Sequence, residues 1–175
     1  MLPVVVEQVR PQVTYDLWAR VLRPGRAPFA ARFDGDEAPD ALHYAAYDRA
    51  DRIVGVVAVL PEAMPESEPG EPAGLGEPAG PREPAGPGRR LRGMAVHPDE
   101  RGEGVGTALL VRVFDGVARL GGGLLWCNAR LPAAGFYEQA GFVRHGEPWD
   151  EPDLGPHVRM WRQVGVDELI EPADG

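Results

Sequence analysis

Lysine is absent from the chain, so all 18 basic residues among its 175 are arginine. A Walker A phosphate loop therefore lacks the side chain that reaches the terminal phosphates, and Schiff-base catalysis lacks its amine. Serine occurs once, as Ser67 inside a Pro/Glu/Gly stretch, where no strand-to-helix elbow would hold it as a nucleophile. That excludes a serine hydrolase. Cysteine also occurs once, as Cys127, which allows neither an internal disulfide nor a thiolate zinc cluster and points to a reducing, cytoplasmic setting. The four histidines, at 43, 97, 145 and 157, have no local metal-ligand spacing, so no metal is expected. No apolar run approaches membrane-spanning length, and the opening MLPVVVEQVR lacks the basic and long apolar regions of a signal peptide.

Basic charge is the minority sign. Asp and Glu number 27 against 18 arginines, a net charge of -9, which argues against nucleic acid and anionic membranes as partners. It fits a cationic acceptor such as an amine, with Asp34, Asp36 and Asp150 as candidate receivers.

The length suits one domain, taken as residues 1–166 and followed by an acidic tail at 167–175. Val4 to Val9 reads as a strand, and Pro11 suits the first turn of a helix carrying Val13, Leu17 and Val21 at helical spacing. ALHYAAYD from Ala41 and RIVGVVAVL from Arg52 read as a hairpin. Residues 61–88 contain EPAGLG, EPAGPR and EPAGPG in tandem without the regular apolar position of a stacked coil, so a disordered insert is expected there. After it, RLRGMAV is a strand, Val105 to Leu120 a helix with Arg112, Asp115 and Arg119 on a polar stripe, and GGGLLWCNA a buried strand. LPAAGFYEQAG is a helix with Pro132 early and Gly141 at its end, and FVRH and HVRMWRQV are the closing strands. The order is mixed α/β around one sheet.

Between the strand ending at Val96 and the helix opening at Val105 stand Gly102, Gly104 and Gly106. A strand, a bare turn and a helix N-terminus form an anion site: unsatisfied amides and the helix dipole converge, and glycine lets an oxyanion reach the main chain. Arg101 adds a fixed cation with a forked donor pattern. The dinucleotide fingerprint does not fit, because Thr107 stands where its third glycine belongs and Gly121 to Gly123 lie where its acidic residue is needed.

The stretch from Arg101 through Gly106 resembles the R/Q-x-x-G-x-G/A signature of the GNAT superfamily of N-acetyltransferases, in the company of MAVHP before it and FYEQAGF after it. LRPG, LHYAAY, LRGMAV, LWCNAR and GPHVRM resemble the small bacterial branch that includes ElaA-like proteins. The resemblance runs from Val4 to about Val164 apart from the insert. It implies a mostly antiparallel, twisted sheet of six to seven strands flanked by about four helices.

It also implies acetyl-CoA as cosubstrate, held by Arg101, Gly102, Gly104, Val105, Gly106 and Thr107 at the pyrophosphate, and by the backbone of Met94, Ala95 and Val96 along the pantetheine arm. Tyr137 would direct its hydroxyl at the coenzyme sulfur. For the base, His157, Glu147, Asp150 and His43 stay open, with His157 foremost because its unperturbed pKa lies near 6.5. His97 has no assigned role, and Cys127 is expected to fill the core rather than carry an acetyl group. Glu103, following Asp99 and Glu100, places like charge beside the anion site and is expected to weaken it; Asn128 stands nine residues before Tyr137, farther than in many relatives. The reaction expected is direct acetyl transfer to a small-molecule or peptide amine, with a homodimer left open. A non-catalytic acyl-CoA sensor or scaffold on the same fold is the alternative, and an interaction protein using the insert is a third.

Overall fold

The valine-rich runs become strands that are covered on both faces. In the computed structural model, which describes residues 4–25, 27–28, 32–65 and 88–169, the central strand β3 (Ile53–Pro61) turns Val57 and Val59 to one apolar layer and Val56, Ala58 and Leu60 to the other. A strand apolar at successive positions needs exactly that double cover, supplied here by helices on opposite sides. The first layer is closed by α2 (Val105–Arg119) and α3 (Ala134–Gln139), the second by α1 (Tyr15–Leu22).

One seven-stranded sheet results, in the order β1-β2-β3-β4-β5-β7-β6. Its remaining strands are β1 (Val5–Gln8), β2 (Leu42–Tyr47), β4 (Arg89–Val96), β5 (Gly123–Arg130), β6 (Val143–Glu151) and β7 (Gly155–Val164). All neighbours are antiparallel except β4 and β5. The mixed α/β sheet agrees with expectation, but the described residues hold three α-helices rather than about four. Short 3-10 turns at Pro11–Thr14 and Leu131–Ala133 begin with or contain proline, whose missing N–H and fixed φ suit a first turn. Asp115, expected on a polar stripe, is instead buried at 3 % exposure and held by Arg112 and Arg119.

The parallel pair is the feature that shapes the molecule. β4 and β5 pair only at Arg89↔Leu125 and Arg90↔Trp126, after which the two strands diverge. The cause lies in β4: Val56 faces Ala95 whereas Ala58 faces Arg92, so β4 carries one extra residue at Gly93–Met94. Such a bulge bends its strand and adds twist. Gly93 makes it possible with φ +61, while the Trp18 indole N–H donates to the Gly93 carbonyl and the ring lies where a side chain would start. A Cβ at Gly93 would stand 2.5 Å from Trp18 Cε2. Gly93→Ala is therefore expected to destabilise the fold by about 3 kcal/mol, from left-handed backbone strain plus overpacking. Urea unfolding measures it, and an unchanged midpoint would show that the bulge does not need glycine.

The two ends of the segment read as an insert belong to the fold. The Glu62 amide donates to the Gly88 carbonyl at 3.2 Å, the Trp126 indole donates to the Glu62 carbonyl at 2.8 Å, and Met64 packs with Leu124 and Trp126. The EPAG repeat itself lies outside the described residues. At the C-terminus, Glu168 pairs with Arg162 at 2.7 Å, which lays the start of the acidic tail on β7.

Candidate active site

The turn after β4 gathers a helix N-terminus, positive-φ glycines and an arginine. His97 ends the strand with its amide on the Val54 carbonyl at 2.8 Å, a single 3-10 turn spans Pro98–Glu100, and Gly102 and Gly104 follow with φ +80 and +85. Gly104 is the N-cap of α2, and the first ladder bond reaches it from Ala108 at 3.0 Å. The amides of Val105, Gly106 and Thr107 therefore have no intrahelical acceptor and point out of the helix end with its dipole. A Cβ at Gly102 would meet nothing within 4 Å, so the turn is open where a ligand would approach. The exposed Arg101 bends back over the strand, its Nε 3.4 Å from the Val96 carbonyl. Asp99 and Glu103 are exposed at the same turn.

Beside the turn runs the gap between β4 and β5. Past Arg90, the edge of β4 that includes Met94 to Val96 has no ladder partner on β5. Such an edge can accept one more extended chain by main-chain hydrogen bonds. On β5, the Asn128 Oδ1 is buried with no hydrogen-bond partner among the described residues. A buried acceptor left over in this way is costly, by about 1–3 kcal/mol, unless a ligand donor reaches it. The turn, the bare strand edge and the orphaned amide oxygen together fit a long ligand with an anionic end and an amide-bearing arm.

On the α2 side of the gap, Tyr137 is 6 % exposed and packs edge-on against Phe136 and Phe142 at 5.1 and 5.4 Å. Burial pushes its phenol well above the ordinary value, and Cys127 adds to the effect.

The sequence pattern of the acetyltransferase (GNAT) domain matches residues 39–144 of this chain. The chain belongs to the GNAT acetyltransferase family. It is 28% identical over 160 residues to the uncharacterised N-acetyltransferase YitI of Bacillus subtilis, covering 91% of this chain and 95% of that one. Among solved structures it resembles Escherichia coli ElaA, with a TM-score of 0.66 at 16% identity over 91% of this chain and 99% of ElaA. It also resembles an aminoglycoside 6'-N-acetyltransferase complexed with coenzyme A, with a TM-score of 0.63 at 16% identity over 97% and 99% of the two chains. The protein is thus an N-acetyltransferase with the GNAT fold.

Within this GNAT site the remaining candidates divide. His157 is 7 % exposed on β7, stacked near Trp149 at 5.8 Å, with Nδ1 2.8 Å from the Gly155 carbonyl. A carbonyl only accepts, so Nδ1 carries a proton, and of the two neutral tautomers this contact selects the one with its lone pair on Nε2. His43 is otherwise engaged: its Nε2 lies 3.1 Å from Asp36 Oδ1, and both side chains are almost fully buried. This corrects the view of Asp36 as a receiver of an incoming cation, because it is 4 % exposed, accepts from the Phe33 amide at 2.7 Å and already holds His43. Asp34 and Asp150 are exposed. His97 accepts from the Asp99 amide at 3.4 Å at the turn.

Cys127 is 2 % exposed in the main apolar layer, and burial pushes its thiol up to about 12. The thiolate is the reactive form, so such a cysteine is inert. Iodoacetamide at about pH 8 is expected to leave the folded protein unmodified and to add one adduct in urea, read by intact mass. Rapid alkylation of the native protein would contradict the burial.

Among the described residues no group of His, Cys, Asp and Glu is placed to hold a metal ion, and no helix is long and apolar enough to cross a membrane. A cavity of about 300 Å³ lined by Gln8, Asp40, Tyr44, Asp115 and Arg119 lies under the C-terminal half of α2, at the far end from the glycine turn. Sequence reasoning missed the arginines beside the gap, Arg90, Arg92 and Arg159. The alternation in RRLRGMAV does place Arg90 and Arg92 on one face, which was the available signal.

Proposed function

We propose that this acetyltransferase moves the acetyl group of acetyl-CoA directly onto an acceptor amine at the gap between β4 and β5. The observation that carries the reading is the bare edge of β4, supported by the α2 amides after that strand and the unsatisfied Asn128 oxygen on β5. Arg101 and the amides from Gly102 to Thr107 would hold the pyrophosphate, and Met94 to Val96 the pantetheine arm. Their chemistry is that of an anion cradle and of strand addition.

In the reaction, the amine nitrogen bonds to the thioester carbon, the C–S bond breaks with its electron pair on sulfur, and the nitrogen releases a proton. A main-chain N–H near Val96 would polarise the carbonyl oxygen. The Tyr137 phenol, kept neutral by burial, is the donor for the departing sulfur. His157 Nε2, with its tautomer set by the Gly155 carbonyl, is the favoured receiver of the amine proton, directly or through water. The inert Cys127 supports transfer without an acetyl-cysteine step.

Calorimetric titration of the protein with acetyl-CoA tests the reading. Affinity in the usual range for enzyme substrates, about 1 µM to 1 mM, followed by amine-dependent release of free thiol, is expected. A folded protein that binds no acetyl-CoA would end it. Binding without turnover on any amine would favour a sensor.

A further inference from the structure

We propose that the acceptor amine carries an oxyanion, a carboxylate or a phosphate, received by Arg92 together with Arg90 on the sheet face opposite α2. The inference rests on the acetyltransferase reading and names its substrate class.

The placement follows from register. Arg90↔Trp126 is the last pair between β4 and β5, so the next residues on that face, Arg92 and Asn128, stand on opposite lips of the gap. Asn128 pairs with Arg159 on β7, and Arg159 with His145 on β6. One polar row thus runs from Arg92 at the gap to Asn128 on its other lip and on across β7 and β6. On the other face α2 and α3 pack over Leu91, Leu125, Cys127 and Ala129, which closes that side to an acceptor. An amine reaching the gap must come over the arginines.

Each of these guanidinium groups lies over an aromatic ring. Arg92 lies 4.4 Å over the Phe33 ring and Arg90 4.7 Å over Trp126, with Arg159 at 5.6 Å from the same indole. Stacking holds a guanidinium in place without neutralising it. Arg90 and Arg92 share one carboxylate, Glu62, at 2.8 and 3.9 Å. Among the described residues that act on Arg92, Arg90 and Arg23 are cations and Glu62 and Asp36 anions, so with Arg92 itself three positive charges face two negative ones, and the Arg90 Nε is buried without a hydrogen-bond partner among the described residues. Burial and then the Arg90 charge lower the pKa of Arg92, the mark of a cation in surroundings that would welcome a further anion. The forked donors match a carboxylate or phosphate edge. A polyamine would meet repulsion at the same place.

The test measures thiol release with acetyl-CoA and matched acceptors: common α-amino acids against their carboxamides, glucosamine 6-phosphate against glucosamine, and spermidine and kanamycin as polycations. The wild type is expected to favour the anionic member of a pair by about tenfold or more in kcat/KM, the size of a charge-assisted contact. Arg92→Gln should bring that ratio near one, Arg92→Lys should restore part of it, and both should bind acetyl-CoA like the wild type. Preference for the neutral or polycationic acceptors, or a ratio that survives Arg92→Gln, would overturn the proposal. A second readout needs no turnover: inorganic phosphate titrated into the coenzyme A-loaded protein should bind the wild type more tightly than Arg92→Gln, and equal binding overturns the proposal too. Failure of acetyl-CoA itself to bind removes the acetyltransferase reading first; normal acetyl-CoA binding with no anion preference removes only the acceptor class.

Discussion

The variant Arg101→Glu/Gly104→Asp is expected to lose acetyl-CoA affinity by about a hundred- to a thousandfold while keeping its fold. Three effects add. Arg101 supplies a forked, charge-assisted contact worth about 1.5–3 kcal/mol, and its replacement puts a carboxylate in the same place. At Gly104 a second carboxylate would occupy the helix N-terminus and satisfy the amides that a phosphate would otherwise take, removing about 0.3–2 kcal/mol of dipole attraction. Together these reach about 3–4 kcal/mol, or two to three decades in affinity.

The fold survives because the new groups suit their positions. Arg101 is exposed, and aspartate is among the residues that tolerate the left-handed backbone found at Gly104, φ +85, at a cost of about 1 kcal/mol. Calorimetry on both proteins, with a thermal melt as control, decides it. An unchanged affinity would mean that the coenzyme does not use the glycine turn. A wild-type affinity that falls with added salt, and a variant affinity that does not, would separate the charge effect from the steric one.

The glycine turn was legible in the sequence because every part of it is local. Spacing, backbone freedom and the following helix lie within a few residues of Arg101. The gap next to it was not legible, since its cause is a bulge at Gly93 seated against Trp18, 75 residues away in the chain. For the same reason the arginine row stayed hidden: Asn128 pairs with Arg159, and Arg92 stands across the gap from Asn128, only through the non-local order of the strands. Net charge favours a cationic acceptor, the opposite of the acceptor proposed above, and acceptor kinetics decide between them. A sum over the whole chain counts every solvated surface carboxylate, whereas the proposed site depends only on the charges beside the gap. Asp36 shows the same limit, because a loop composition rich in Gly and Asp does not say which carboxylate the fold will bury under His43. The helix from Leu131 begins as a 3-10 turn containing Pro132, a local adjustment that periodicity does not resolve.

Tyr137→Phe is expected to lower kcat by about ten- to a hundredfold and to leave acetyl-CoA affinity within about threefold. General acid catalysis contributes about a hundred- to ten-thousandfold in general, and the lower end applies here. A thiol leaves well as its own anion, with a pKa near 8.5, so it needs less help than an amine or alkoxide. The raised phenol pKa also favours donation of a hydrogen bond over full proton transfer. Since the phenol ionises above its ordinary value of 10.0, it stays protonated at any working pH, and no alkaline loss of rate below about pH 10 belongs to it. The sign for stability is fixed by the same shift. The unfolded chain ionises first, so the wild type should lose stability as the pH rises past about 10, through a range in which Tyr137→Phe is spared that loss. If the variant keeps full turnover at normal affinity, the sulfur takes its proton from water and Tyr137 serves only to pack against Phe136 and Phe142. If turnover falls and binding stays, the site is catalytic, and the sensor reading is excluded by the same pair of measurements.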